Sequence, residues 1–276
     1  MKRDFDPGYV RAPYRRLVAD FPDESAYPIK DFRTEWGPIF HRGRLDGTAR
    51  VLVIGQDPAA HEAIARRILV GEAGQRAQGL LARLGIDRSY VFVNTFLYSV
   101  FGGTGSKYVD DAAIVDYRNR WFDAIVKDQP IEAIISLGQM ADTAYQLWRT
   151  TPAGSASTAA YANGRHPTYP ESASRSSGIT KAEGFARLCA SWNEVLDVLE
   201  GAVTPDTPVA TSRYGVTITD ADLAAIPARD LPAGLPPWMG ALDAWALRTG
   251  ETKQMKRASI TVTIPTVDRS WPPVPG

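Results

Sequence analysis

Apolar residues along this chain follow two rhythms. Four short runs are apolar at nearly every position: Val51–Ile54, Tyr90–Asn94, Ala133–Leu137 and a weaker one at Tyr161–Gly164. Runs of that length, rich in β-branched and aromatic residues, predict strands buried on both faces. Between them the apolar positions recur with helical spacing. Gln75–Leu84 carries Ala77, Leu80, Leu81 and Leu84, with Gly85 as a stop. Asp111–Lys127 carries Ile114, Val115, Trp121, Phe122, Ile125 and Val126, and Gln139–Trp148 follows the third strand directly. Ala182–Leu199 repeats the pattern through Phe185, Leu188, Trp192, Val195 and Leu196. Trp121, Trp148 and Trp192 fall on inward positions and read as packing. Strands alternating with helices predict an α/β fold. The expected architecture is a three-layer sandwich: a central, mostly parallel four-stranded sheet flanked by helices.

Thr150–Ala160 and Pro170–Gly178 are rich in small and polar residues and predict loops. After Glu200 the pattern changes. Residues 201–276 hold ten of the chain's twenty prolines, and proline is excluded from helix interiors and central strands. The expected organisation is a domain over residues 1–200 and a proline-rich C-terminal extension, 201–276, packed on it. The extension is expected to hold one helix, Pro237–Thr249 stopped by Gly250. Two short strands, Tyr214–Ile218 and Ser259–Ile264, are expected to pair.

Composition narrows the chemistry. A chain of 276 residues with 44% hydrophobic content can bury one sizeable core. No apolar run approaches the roughly 20 residues of a membrane span, and the first residues have no apolar segment of the secretory kind. A cytoplasmic protein with no membrane partner is expected. Cys189 is the only cysteine, so no intrachain disulfide and no four-cysteine metal or iron–sulfur site can form. His41, His61 and His166 are the only histidines, and no metal is expected. Net charge is zero, which gives no global attraction to nucleic acid. Five arginines against three acids over residues 61–90 read as a solvated helix face.

The stretch Gly55-Gln56-Asp57-Pro58-Ala59-Ala60-His61-Glu62 follows the first strand at once. Ligands of open α/β sheets bind at that edge. Asp57 reads equally well as a turn or helix cap. Asn94 closes the second strand, and Gly164-Arg165-His166-Pro167 follows the fourth; each has a structural reading of its own. Together, a carboxylate, an amide and an imidazole on one edge suit cleavage of a bond to a heterocycle. The carboxylate would stabilise positive charge on a sugar. A donor would stabilise the leaving base, as an oxyanion hole does. Gly102-Gly103-Thr104-Gly105-Ser106-Lys107 lacks the spacing of a phosphate loop and reads as a flexible loop.

From Val51 to Leu199 these motifs resemble the uracil-DNA glycosylase superfamily. GQDPAAHE resembles the GQDPYH motif of its first family, with the catalytic Asp at Asp57. Gly71-Glu72-Ala73-Gly74-Gln75, Leu80-Leu81 and Gly85-Ile86-Asp87-Arg88 resemble the scaffold of the fourth, iron–sulfur family. His166-Pro167-Thr168 is similar to the superfamily's His-Pro-Ser, and Ser136-Leu137-Gly138 to a fourth-family strand end. The resemblance implies a monofunctional hydrolase acting on uracil in single- or double-stranded DNA, monomeric, with no cofactor. It implies that Asp57 positions water and stabilises the sugar cation, and that His166 bonds the uracil carbonyl. Asn94 would read the uracil edge and Gln56 would contact the base. DNA contacts would come from His61, Arg165, Thr168, Tyr169, Pro170 and Arg175. The chain departs from the pattern at several places. Ala59 replaces the Tyr that blocks the thymine methyl. Leu69 stands near the stacking Phe, with Phe92, Phe96 or Tyr98 as substitutes. Tyr169 or Pro170 replaces the intercalating Leu, and the iron–sulfur cysteines are absent. A glycosylase for hypoxanthine or mispaired thymine, and a DNA-binding protein without turnover, are the alternatives.

Overall fold

The computed structural model describes residues 9–236, 238–241 and 244–265. In chain order the elements are α1 (Ala12–Ala19), β1 (His41–Gly43), β2 (Val51–Gly55), α2 (Ala60–Ala65), α3 (Glu72–Arg83) and β3 (Tyr90–Asn94). Then come α4 (Ala112–Asp128), β4 (Ala133–Leu137), α5 (Gln139–Arg149), α6 (Pro152–Ala156), β5 (Ala160–Gly164), α7 (Tyr169–Ser176) and α8 (Lys181–Leu199). The extension holds α9 (Trp238–Ala241), β6 (Ala246–Arg248), α10 (Lys253–Ala258) and β7 (Ile260–Val262).

The fold is α/β. Among the described residues the central sheet has five strands, ordered β1-β3-β2-β4-β5. The last four of that order run parallel, and β1 pairs antiparallel with β3. Alternation along the strands sorts side chains to two faces. Leu52, Ile54, Val91, Val93 and Ile134 pack with α1, α4 and α5. Val51, Val53, Tyr90, Phe92 and Ile135 pack with α3 and α8. Both faces are therefore covered, which is why the strands read as unbroken apolar runs. Trp121, Trp148 and Trp192 lie in these cores.

The expected count of four strands misses β1. Its three residues are His41, Arg42 and Gly43, and no apolar signal marks them. They are nonetheless buried, because Arg42 finds partners: Nε donates to the Ile68 carbonyl at 2.8 Å and Nη1 to Gln78 and Asp230 at 3.0 Å each.

Both predicted loops contain helices. Thr151 caps α6 by accepting the Gly154 N–H at 3.1 Å, and Pro152 suits its first turn. Serine-rich α7 is held from outside, where Arg76 bonds Glu171 and the Pro167 carbonyl. Residues 61–90 are not a solvated basic face either. Arg76 is only 3% exposed, and Arg66 donates to the carbonyls of Trp36 and Pro38.

The extension differs most from expectation. Tyr214–Ile218 forms no strand. The Asn193 side chain takes both the N–H and the carbonyl of Tyr214, at 2.7 and 3.0 Å. Of the helix expected over Pro237–Thr249 the described residues show α9 alone, and Pro237, Leu242 and Asp243 lie outside them. Trp245 and Ala246 instead join a third core with Ala60, Val70, Ile226 and Leu231. Strand β7 pairs antiparallel with β6. Carboxylates hold the extension down. Asp206 accepts the N–H groups of Asp87, Arg88 and Ser89 at 3.0, 2.9 and 2.9 Å. Asp222 pairs with Arg83, and Asp230 is shared by Arg42, Arg44 and Tyr90.

Among the described residues no helix is long and apolar enough to cross a membrane.

Candidate functional site

The sheet order creates a crevice. After β2 the chain crosses by α3, on one face, to β3; after β4 it crosses by α5, on the other face, to β5. Connections that leave neighbouring strands toward opposite faces open a cleft at their carboxyl ends. A groove of about 610 Å³ lies there, lined by Gln56 after β2, Gly138 after β4, and Asn163, Arg165 and His166 at the end of β5. Two strand spacings separate β2 from β5, roughly 10 Å.

Asp57 stands one residue beyond Gln56. Its Oδ1 accepts from Gln56 Nε2 at 2.9 Å and its Oδ2 from the Val100 N–H at 2.8 Å. Burial nevertheless pushes its pKa up to about 6, against the pull of both bonds. Asp57 does not cap the helix that follows. Glu62 does that, accepting the Ala59 N–H at 2.9 Å and the Val70 N–H at 3.1 Å.

Asn94 lies beside Gly55 in the parallel register. A Cβ at Gly55 would stand 2.3 Å from Asn94 Oδ1 and 3.6 Å from Leu69 Cδ1. Glycine is therefore what lets the amide lie over the end of β2. Asn94 Oδ1 is buried with no hydrogen-bond partner. Leu69 reaches the same spot from a backbone with φ 52°, a region that costs a non-glycine residue roughly 1–2 kcal/mol.

His166 is oriented by its own loop. Nδ1 accepts the Thr168 N–H at 3.2 Å and lies 2.9 Å from Thr168 Oγ1. An N–H can only donate, so Nδ1 is the acceptor and the neutral ring carries its proton on Nε2. Burial lowers the His166 pKa to about 4, which keeps the ring neutral at physiological pH. Gly138, at φ 95°, allows the approach, since a Cβ there would sit 3.0 Å from His166 Cβ.

The remaining expected residues divide. Arg165 is exposed, with its guanidinium 4.3 Å over the Tyr169 ring, and Arg175 is exposed on α7. Thr168 serves His166. Pro170 is buried against Gly184, where a Cβ would be 2.7 Å from its Cα, so it cannot enter a base stack from α7 as it stands. His61 faces the extension: its Nε2 accepts the Ala246 N–H at 3.3 Å and its ring meets Trp245 edge-on at 4.8 Å. Phe92, Phe96 and Tyr98 are core residues, 0%, 0% and 3% exposed. Ala59 is exposed.

Glu62, Arg76 and Gly138 escaped the sequence reading as contributors to this site. Only Gly138 carried a signal, as a glycine between a strand and a helix. No group of three or more His, Cys, Asp or Glu side chains among the described residues could hold a metal ion. Compared with known protein families and with curated proteins, the chain matches none. Any relationship to the uracil-DNA glycosylases rests on the motifs and on the edge geometry.

Proposed function

We propose that this chain is a monofunctional uracil-DNA glycosylase, hydrolysing the N-glycosidic bond of uracil in DNA to release the base and leave an abasic site. One observation carries the reading: a carboxylate, an orphaned amide and a neutral imidazole stand at or just beyond the carboxyl ends of the parallel strands β2, β3 and β5, with Gln56 and His166 lining the groove there. Each suits one part of the reaction. Bond breaking leaves positive charge on the sugar, which ionised Asp57 stabilises while orienting water. Negative charge grows on the base carbonyl, and His166 Nε2–H is a neutral donor for it. Uracil offers a donor at N3 beside an acceptor at O4. Asn94 supplies the matching acceptor, its unpartnered Oδ1, with its amide N–H as donor. Cytosine has no hydrogen at N3, so with the Asn94 amide in this orientation Oδ1 is left unpaired, the mismatch that buried polar sites reject most strongly. Extrusion of the base costs a few kcal/mol and favours mispairs and single strands.

Exposed Ala59 favours one second reading. A side chain this small places no ring against a thymine methyl, so thymine in T·G mispairs is the next substrate to try. Oligonucleotides carrying U·G, U·A, T·G or I·C, cleaved with alkali after incubation, separate the possibilities. Uracil release with T·G and I·C intact is expected. Strong T·G cleavage would defeat uracil specificity, and no release from any substrate would leave a binding protein.

His166→Ala is expected to raise the barrier by about 2.7–4 kcal/mol, the usual worth of one such donor. Single-turnover rates measure it, and a near-normal rate would remove His166 from the mechanism. The pH profile separates the two groups. Asp57 takes up its proton at about 6 and His166 only at about 4. Activity of the wild type therefore falls as pH drops through about 6, and the His166→Ala enzyme keeps that limb.

A further inference from the structure

A second, larger groove of about 1290 Å³ runs from Ala59 past Phe101 and Gly102 to β6 and α10 of the extension. Of its lining only Ala59 enters the proposed reading, and none of Asp57, Asn94 or His166 belongs to it. Three of its cations, Lys30, Arg248 and Lys256, are exposed. Arg33, also in the lining, is engaged: it donates to Ser99 Oγ and the Val100 carbonyl and stacks on Phe101 at 4.0 Å. Among the described lining residues Asp31 is the single carboxylate, and it already accepts from Tyr108 Oη at 2.6 Å. Beside these charges stand exposed apolar surfaces, Ile29 at 54% and Leu247 at 49%. Gly102 and Gly103 have open space where a Cβ would be, so a ligand can approach their backbone closely. The far wall is fixed to the catalytic edge through His61 and its bond from Ala246.

We infer that this groove binds a single-stranded stretch of DNA, with Lys30 on one wall and Arg248 and Lys256 of the extension on the other. The exposed cations match the phosphates of an unpaired strand, and aliphatic Ile29 and Leu247, in place of the aromatic rings such grooves more often use, give its open base faces an apolar surface. A duplex keeps its base faces stacked away, and an acidic peptide has no planar faces to offer. With zero net charge, attraction to a polyanion has to come from such a local patch. The inference rests on the glycosylase reading for its biological substrate, but binding itself requires no turnover.

The test is fluorescence anisotropy with an undamaged single-stranded oligonucleotide that contains no uracil. The wild type is expected to bind. The double variant Arg248→Ala/Lys256→Ala is expected to bind roughly tenfold more weakly, with a log–log salt slope shallower by about 1.4, two phosphate contacts on a single strand. Lys127→Ala, exposed on α4 outside the groove, is expected to behave as wild type. No binding by the wild type, or an unchanged affinity and salt slope in the double variant, overturns the inference. So does equal affinity for polyglutamate of matched charge, which would assign the groove to an acidic polypeptide. A wild type that binds in the expected way and releases no uracil keeps the groove and loses the glycosylase reading.

Discussion

Asp57→Asn is expected to abolish most uracil release and, at neutral pH, to make the protein more stable. Both effects come from burial. The carboxylate is held with a pKa of about 6, against 3.8 for a free aspartate. A group whose pKa is raised in the folded state binds its proton more tightly there than in the unfolded chain. Its contribution to stability is intact below the unfolded pKa and is lost as pH climbs through the folded one. Above about pH 6 the folded protein carries a charge it disfavours by roughly 3 kcal/mol, at about 1.36 kcal/mol per pH unit. The Asn variant carries none. It keeps an acceptor for the Val100 N–H, and rotation of the Gln56 amide offers it an oxygen in place of the N–H group. Thermal denaturation from about pH 4 to pH 8 should show the two proteins diverging as pH rises and running parallel above about 6. Turnover should fall by at least about a hundredfold, the scale of losing one electrostatic contact to the transition state. The acid limb at about 6 should vanish with it. A merely structural aspartate predicts the opposite pattern, a less stable variant with its activity kept. Retained activity would remove Asp57 from the chemistry, and a less stable variant would remove the raised pKa.

Asp230→Ala is expected to cost about 3–5 kcal/mol of folding stability, the range for breaking a buried ion pair from one side. The Asp230 and Arg42 side chains are 0% exposed and Arg44 is 7% exposed. Tyr90 Oη donates to the same carboxylate at 2.6 Å. Alanine leaves two guanidinium groups and a phenol facing an apolar gap. Asp230→Asn keeps the shape and some hydrogen bonds and should fall between. Urea denaturation gives the magnitude, and limited proteolysis should show cleavage within the extension first. A loss below about 1 kcal/mol, the worth of a surface pair, would mean that the extension is not anchored there.

How much of this was legible in the sequence follows from which partner each residue has. Strands β2, β3, β4 and β5 were readable because a strand covered on both faces must be apolar throughout. Helices α3, α4, α5 and α8 were readable because one stripe of each meets the sheet. Strand β1 was not, because Arg42 is buried by virtue of a carboxylate 188 residues away. Tyr214 looked like a strand residue, yet one asparagine side chain takes its backbone groups. Asp57, Asn94 and His166 were legible as candidates because each ends or follows a legible strand. Their states were not. The raised pKa of Asp57, the tautomer of His166 and the empty acceptor of Asn94 depend on Val100, Thr168 and Gly55, whose roles exist only once the chain is folded. Leu69 hides most completely, since leucine gives no sign of a positive φ.

The shared carboxylate at β1 also guards the edge of the sheet. Strand β1 is the outer strand of the sheet, and the turn holding Asp230 lies against it. Outer strands with open backbone groups invite pairing with other chains. Every strand of that sheet precedes Asp230 in the chain, so without the docked extension the edge carries two arginines that lack their shared carboxylate. Two like charges on an outer strand disfavour the addition of a strand from another copy. The aspartate neutralises them and lays the extension against the same strand, so one carboxylate serves both charge balance and edge protection.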